Sequence, residues 1–283
     1  MKINTISVSD PCFAGRLEHI PSAPKTLFAL GNPSVVGPAV AIVGTRKPTP
    51  YGKAVTLELA EKLARRGVVI VSGLALGIDC IAQTAAVDAG GRTVAVLASG
   101  LDQITPHSNH AIALKILRKD GGLLSENEPG TPPFQWEFLK RNRIVSGLAS
   151  AVIVTEATAK SGTMNTVMHA LSQGRDVYAV PGSILSPTSA GCNRLIEQGA
   201  TPIVDIDAFV EHIAPLKKQS KQQLLLAQTP EEQTLLDLIQ SGISDGDELQ
   251  KAARQDAITF AATLTMLELR GAIHALGANQ WGL

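Results

Sequence analysis

The chain has 283 residues, enough for one α/β domain of roughly 200 residues and a smaller second domain. Its 25 lysines and arginines balance 25 aspartates and glutamates, so any nucleic-acid site must be a local patch and not a global positive field. The sequence has no apolar run of about 18 residues and no signal-peptide core, and its three scattered cysteines suit neither a disulfide framework nor a zinc site. We therefore expect a cytoplasmic protein that does not enter a membrane.

The first 79 residues predict an arm followed by a complete strand–helix–strand unit. Residues 1–38 show no sustained period, and we expect an arm with a short edge strand at 27–30. Residues 41–43 form a short apolar strand, and the prolines that follow predict a loop before a helix from Lys53. The β-branched run at 68–71 is typical of a parallel strand covered on both faces.

Strands and helices continue to alternate up to residue 206, which favours a doubly wound, mostly parallel sheet. The further strands are predicted at 93–98, 121–126, 151–155, 177–180 and 201–204. The helices between them are predicted at 78–89, 109–117 and 165–172, with another beginning near Asn193. We place this domain at residues 39–214.

A second, smaller domain is predicted at residues 229–283, after a Lys/Gln-rich linker at 215–228. Thr229, Pro230 and Glu232 form a strong helix start. Three short helices and a terminal hairpin are typical of a winged helix. Its third helix, ITFAATLTMLELR, ends in its only basic residue, so we expect a protein-contact module and not a reader of the major groove.

Two Gly-rich loops should meet at the carboxyl edge of the sheet. The first, Gly44-Thr45-Arg46, offers backbone donors and a guanidinium that suits phosphate, although it could equally be a turn with a surface ion pair. The second runs from Ser72 to Asp79, and we expect Asp79 to cap the following helix. Ligands bind at this edge in open α/β sheets, so we expect an anion there.

The sequence FLKRNR at 138–143 is the sharpest indication of function. It places Phe138 beside Lys140, Arg141 and Arg143 in a chain of zero net charge. A ring that stacks a base, next to cations for the backbone, is what single-stranded nucleic acid requires. The alternative is a solvated helix start with Phe138 in the core.

No motif of the sequence predicts catalysis, a metal or a cofactor. The turn that begins at Lys160 and Ser161 lacks the spacing of a nucleoside-triphosphatase loop, and GTRKPTPYG lacks the dinucleotide fingerprint. His107 and His110 have no evident third metal ligand and are interpreted as surface histidines. We find no nucleophile–base pair, so the sequence favours binding.

Eight motifs in order resemble the DNA-processing protein A (DprA/Smf) family over about residues 10–206. They are AIVGTR, VVIVSGLALGID, ASGLDQITPHSN, LLSENEPGTPP, FLKRNRIVSGLASAVIVTEA, KSGT, GRDVYAVPGSI and GCNRLIEQGA. The resemblance implies an extended Rossmann-like domain that binds single-stranded DNA, forms a homodimer and loads the RecA recombinase during natural transformation. Two segments depart from the family pattern, Thr105-Pro106 and SGTMNTVMHAL.

Carried over residue by residue, the resemblance implies a DNA-binding pocket without a cofactor. Arg46 would clamp a phosphate, and Phe138 would stack a base. The remaining positions are expected to supply backbone N–H donors or positive charge, or to close the pocket: Gly44, Ser72, Gly73, Gly77, Lys140, Arg141, Asn142, Arg143, Lys160, Ser161 and Asn193.

Two other functions stay open at this point. The wider superfamily includes LOG-like nucleotide phosphoribohydrolases, whose loop supplies a catalytic glutamate; Thr166 stands at that position here, and its neutral hydroxyl cannot act as the carboxylate. The other is a sensor that binds a nucleotide in the same pocket.

Overall fold

The computed structural model describes residues 2–215, 229–270 and 272–282. The chain divides into two compact units, Met1–Pro215 and Leu216–Leu283. Within the described ranges, no helix is long and apolar enough to cross a membrane. The linker predicted at 215–228 lies outside the described residues except for Pro215.

The first unit is built on a nine-stranded sheet, in the order β1-β2-β6-β5-β4-β3-β7-β8-β9. The seven strands from β6 to β9 in this order are parallel; β2 pairs antiparallel with β6, and β1 pairs antiparallel with β2 at the edge. This confirms the predicted doubly wound, mostly parallel sheet. The strands are β1 Asn4–Ser7, β2 Thr26–Gly31, β3 Ala39–Val43, β4 Val69–Ser72, β5 Thr93–Leu97, β6 Gly122–Ser125, β7 Ala151–Val154, β8 Asp176–Ala179 and β9 Thr201–Pro202.

Helices join the parallel strands and cover both faces of the sheet. Successive residues along a strand pack alternately into two separate hydrophobic clusters. Both faces of β3, β4 and β7 are therefore buried, which is why these strands are continuous apolar runs. The helices are α1 Pro50–Arg65, α2 Ile78–Asp88, α3 His110–Arg118, α4 Gln135–Leu148, α5 Thr163–Ser172, α6 Ala190–Glu197 and α7 Ile206–Ile213.

Three local predictions need correction. The strand at 27–30 is not an edge strand, because β1 pairs outside it and β2 pairs with β6 on the other side. Pro50 does not exclude helix: it is the first residue of α1, where its missing N–H is not needed, and the Thr49 side chain caps the helix. Helix α7 was not predicted, although Asp205 accepts a hydrogen bond from Ala208 N–H as a regular N-cap.

The described residues of the second unit form three helices and a two-stranded antiparallel hairpin around an apolar cluster of their own. Thr229 accepts a hydrogen bond from Glu232 N–H at 3.2 Å, so the first helix begins where the sequence predicted. The Arg270 guanidinium lies 3.0 Å from both Glu232 carboxylate oxygens, so this cation ties two helices together. The elements are α8 Pro230–Gln240, α9 Gly246–Ala253, α10 Ala257–Leu269, β10 His274–Gly277 and β11 Gln280–Gly282.

The order of the strands reverses between β3 and β7. From β3 the chain proceeds outward through β4, β5 and β6, and it then returns to place β7 on the other side of β3. The loops that follow β3 and β7 therefore diverge from neighbouring strands and leave a crevice at their carboxyl ends.

The loop after β4 touches the loop after β3 at Gly77. This glycine has φ +79°, and a Cβ placed there would lie 2.4 Å from the carbonyl oxygen of Thr45 and 2.7 Å from the carbonyl carbon of Arg46. The two loops approach so closely only because residue 77 has no side chain.

We expect Gly77→Ala to destabilise the protein by at least about 2 kcal/mol, because it adds an unfavourable backbone conformation to a clash with backbone atoms. Urea unfolding measures the change. Gly90→Ala is the matched control, since Gly90 has φ +82° but open space around its missing Cβ. Equal losses in the two variants would show that the contact with Thr45 carries no cost.

Candidate functional site

A pocket of about 640 Å³ lies in the crevice at the carboxyl ends of β3, β4 and β7. Its walls come from the loops after these strands and from the exposed side of α4. Of the predicted site residues, seven line it: Gly44, Arg46, Gly73, Phe138, Arg141, Asn142 and Ser161. The other six lie outside its lining: Ser72, Gly77, Lys140, Arg143, Lys160 and Asn193.

Arg46 and Phe138 are in contact with each other in the lining of the pocket. The Arg46 guanidinium carbon lies 5.4 Å from the centre of the Phe138 ring, within the range of a cation–π contact. Arg46 is exposed to solvent and Phe138 is half-buried, so both remain accessible. The structure thus brings together a cation and a ring that the sequence analysis placed in different motifs.

The second Gly-rich loop does not present its backbone donors to the pocket, contrary to expectation. The Gly73 N–H donates to the Asp79 carboxylate at 3.0 Å, and the Leu74 N–H donates to Gln83. The buried Ser72 hydroxyl donates to the carbonyl of Ile42 at 2.7 Å. These groups are satisfied within the protein, so the loop shapes the pocket without offering an anion cradle.

Asp79 does not cap its own helix either. Gly77 occupies the N-cap position, and the Asp79 carboxylate reaches back to the preceding loop instead. Burial raises the pKa of this carboxyl, while the nearby Arg141 charge and the Gly73 N–H act in the opposite direction. Asp79 therefore holds the loop that forms one wall of the pocket.

Arg141 is a structural residue of the pocket floor and not an exposed charge for a DNA backbone. It is 6% exposed, and its Nη1 donates to the carbonyl of Gly73 at 2.6 Å and to that of Val96. Burial lowers the pKa of its guanidinium to about 10, and Asp79 opposes this shift. A Cβ at Gly73 would lie 2.6 Å from the Arg141 guanidinium, so a side chain at this position would displace that group.

Arg143 and Lys140 point away from the pocket, which corrects their expected role. Arg143 is 5% exposed and donates to the carbonyl of Ser22 at 2.8 Å and to Glu126 at 2.7 Å. The Lys140 ammonium lies 3.2 Å from Glu126 and 3.9 Å from Glu137. Consecutive helical residues point in different directions, so one basic stretch is divided between the interior and the rim.

The remaining predicted residues divide between the pocket wall and the framework. Asn142 lines the pocket and donates to Asn165 at 3.2 Å, and Ser161 accepts from the Thr163 N–H at 3.1 Å at the start of α5. Lys160 is exposed outside the lining. The Asn193 amide accepts from the Gly182 N–H at 3.1 Å and donates to the Gly182 carbonyl at 3.0 Å. Its polar atoms therefore hold a loop in place and are not directed at a ligand.

Glu156 supports the wall of the pocket without lining it, and the sequence analysis missed this role. It lies two residues after the end of β7 and is 2% exposed. Its carboxylate accepts from the Thr49 N–H at 2.8 Å, and its carbonyl accepts from the Thr45 N–H at 2.7 Å. It thus holds both sides of the Arg46 loop and occupies the positive end of α1, where an anion could otherwise bind. An acidic residue at the carboxyl end of a buried strand was the available indication.

His107 and His110 lie on the surface, as the sequence suggested. The rings of His107 and His110 stack at 5.9 Å on an exposed turn. Across the part of the chain that the structure describes, no group of three or more His, Cys, Asp or Glu residues could hold a metal ion. Cys12, Cys80 and Cys192 are all free thiols.

Sequence comparison identifies relatives over the whole first unit. The family model described as DNA recombination-mediator protein A matches residues 4–214. The DNA processing protein DprA of Bacillus subtilis is 44% identical over 213 residues, which are 75% of this chain and 71% of that protein. Protein Smf of Escherichia coli is 42% identical over 174 residues, which are 62% of this chain and 46% of that protein.

Solved structures agree with the sequence matches. The X-ray structure of DprA from Streptococcus pneumoniae has a TM-score of 0.67 and 40% identity, covering 73% of each chain. A Helicobacter pylori DprA structure, described in terms of its single-stranded DNA binding mode, has a TM-score of 0.68 and 35% identity and covers 75% of this chain and 96% of that one. The chain therefore belongs to the DprA/Smf family of DNA-processing proteins.

Proposed function

We propose that this protein binds single-stranded DNA in the pocket at the carboxyl edge of its sheet and passes the strand to a RecA-type recombinase during natural transformation. The observation that carries the proposal is the placement of the Arg46 guanidinium 5.4 Å from the Phe138 ring inside that pocket. A cation can take a phosphate and a neighbouring ring can stack a base, which are the two contacts that an unpaired strand requires.

The charges around the pocket favour Arg46 as the phosphate ligand. Arg141 and Arg143 are committed to protein carbonyls and to Glu126, and Lys140 is paired with acidic neighbours. Arg46 is exposed, and its described contact is with a ring that does not neutralise its charge. Electrostatic attraction to the strand thus depends more on this side chain than the sequence FLKRNR suggested.

The comparisons support the same proposal. The matching family model is described as a recombination mediator, and the Helicobacter pylori relative is described as binding single-stranded DNA. Transfer of the strand to a recombinase rests on that family description, and an assay of recombinase filament formation on protein-coated single strands tests it.

The chemistry of the pocket gives little support to the phosphoribohydrolase alternative. Thr166 lines the pocket at the position where that enzyme class needs a glutamate, and a hydroxyl cannot supply the carboxylate. The Asp79 carboxylate also lines the pocket, but it is engaged with the Gly73 N–H. We therefore favour binding without catalysis.

The direct test of the proposal is a fluorescence-anisotropy titration with labelled oligo-dT and with a duplex of equal length, repeated across salt concentrations. Preference for the single strand with a steep salt dependence supports it. Weak binding to both would favour a free nucleotide as the ligand, which thermal shift with nucleoside phosphates would identify.

We expect Arg46→Ala to weaken binding to every single-stranded sequence alike and to reduce the salt slope by about 0.7, the contribution of one phosphate contact on a single strand. The same anisotropy series measures both quantities. Arg65→Ala is the matched control, because Arg65 is an exposed arginine of α1 that pairs with Glu61 outside the pocket. An unchanged slope in Arg46→Ala would remove this residue from the site.

We expect Phe138→Ala to weaken binding by about 1–3 kcal/mol because a stacked base loses its ring. Binding is measured by anisotropy, and stability by thermal unfolding of the same variant. Normal affinity combined with a lower melting temperature would instead make Phe138 a packing residue.

We further propose that the protein is a homodimer. Met168 and Leu171 lie three residues apart on α5, hence on one face, and both side chains are largely exposed. An exposed apolar pair of this kind suits burial against a second copy. Sedimentation velocity over a range of concentrations tests the dimer.

The C-terminal unit is proposed to be a winged-helix module that contacts protein. The exposed side of α10 carries Ile258, Met266 and Leu269, and Arg270, which caps this helix, is paired with Glu232. Apolar side chains of this kind cannot read base edges by hydrogen bonding.

A chain truncated after Pro215 should therefore bind oligo-dT with nearly unchanged affinity, because the pocket lies entirely within residues 43–166. Circular dichroism first verifies that the truncated chain is folded. A loss of affinity larger than tenfold in the anisotropy titration would make the second unit part of the DNA site.

A further inference from the structure

Two exposed aromatic rings lie at the rim of the pocket without any role in the proposed site. Phe134 is 49% exposed and Trp136 is 59% exposed. Their rings are nearly parallel, with 7° between the planes and 6.4 Å between the centres. Large rings exposed in water are unfavourable unless something covers them, so this pair indicates a contact surface.

The pair is continuous with the pocket. Gln135, Phe138 and Leu139 line the pocket from the first turns of α4. Trp136 lies three residues before Leu139 on the same helix, so the two side chains are neighbours on its surface. Leu139 is itself 48% exposed. An apolar strip therefore leads from the Phe138 ring over Leu139 to Trp136.

The charges beside this strip cancel. Lys140 lies 5.8 Å from the centre of the Trp136 ring, but its ammonium is 3.2 Å from Glu126 and 3.9 Å from Glu137. Arg143 is also paired with Glu126. Two cations and two carboxylates leave no net charge to attract phosphate at the rim.

We propose that Phe134 and Trp136 form a second base-stacking subsite, which receives the unpaired bases of the strand as it leaves the pocket. This inference rests on the proposed function and extends it from one nucleotide to a track over α4. The occupant is single-stranded nucleic acid because the rings adjoin the Phe138–Arg46 pocket and because every base offers a π face of matching size. Duplex DNA, whose bases are stacked on each other, does not fit.

The cancelled charges distinguish this subsite from the pocket. Stacking does not release counterions, so the contribution of the Phe134 and Trp136 rings to affinity should not depend on salt concentration. The contribution of Arg46, which contacts phosphate, should fall as salt rises. The two rings should also raise the affinity only for strands long enough to extend beyond the pocket.

The experiment compares Trp136→Ala, Trp136→Phe and Leu57→Ala by anisotropy with oligo-dT of increasing length across salt concentrations. Leu57 is the control, a 51% exposed apolar residue on α1 that does not line the pocket. Trp136→Ala should weaken binding of long strands about 5- to 150-fold, the equivalent of one stacked base, with an unchanged salt slope. Trp136→Phe should keep most of the affinity, and Leu57→Ala should bind as the unaltered protein does.

Intrinsic fluorescence gives a direct readout. The chain has two tryptophans, Trp136 and Trp281, so in a Trp281→Phe background the emission comes from Trp136 alone. Saturating oligo-dT should quench this emission, and a duplex of equal length should not.

Two results would overturn the proposal while leaving the proposed function intact. One is unchanged Trp136 emission with full binding of the same oligonucleotide and with normal affinity in Trp136→Ala. The other is normal DNA affinity with altered sedimentation of Trp136→Ala, which would assign the rings to a protein contact. If the unaltered protein does not bind single strands at all, the proposed function fails first.

Discussion

The buried guanidinium of Arg141 is the constraint on which the pocket depends. It joins α4 to the loop after β4 at Gly73 and to the end of β5 at Val96. Burying an unpaired charge is costly, and here two carbonyl groups and the nearby Asp79 carboxyl compensate it. Phe138 lies three residues earlier on the same helix, so the contact that holds Arg141 also directs the Phe138 ring toward Arg46.

A second set of contacts holds the opposite wall. Glu156 bonds the backbone on both sides of Arg46, and Gly77 lets the neighbouring loop approach that backbone. The pocket is thus built from buried polar groups that satisfy one another, with one exposed cation left facing the opening. Because these buried contacts already hold the Arg46 loop, binding of a ligand at Arg46 would order little additional backbone.

Much of the fold followed from local patterns. The continuous apolar strands, the glycine and proline positions and the cap at Thr229 predicted most elements to within a few residues. The corrections concerned the neighbours of β2, the start of α1 and the unpredicted α7, and only the first of these involves pairing between distant segments. Nothing within residues 26–31 reveals that β2 has neighbours on both sides, because strand pairing is decided by the rest of the sheet.

The sequence predicted the place of the candidate site better than the directions of its side chains. Composition and motif order determined that Arg46 and Phe138 are candidates and that the carboxyl edge of a parallel sheet is the place for a ligand. Only the tertiary structure decided which cations of FLKRNR are exposed, because the direction of each side chain follows from how α4 packs on the sheet. Likewise, only the tertiary structure shows that the Gly73 and Leu74 N–H groups are bonded to Asp79 and Gln83, because these distances depend on how the loop folds back on α2 and not on spacing in the sequence.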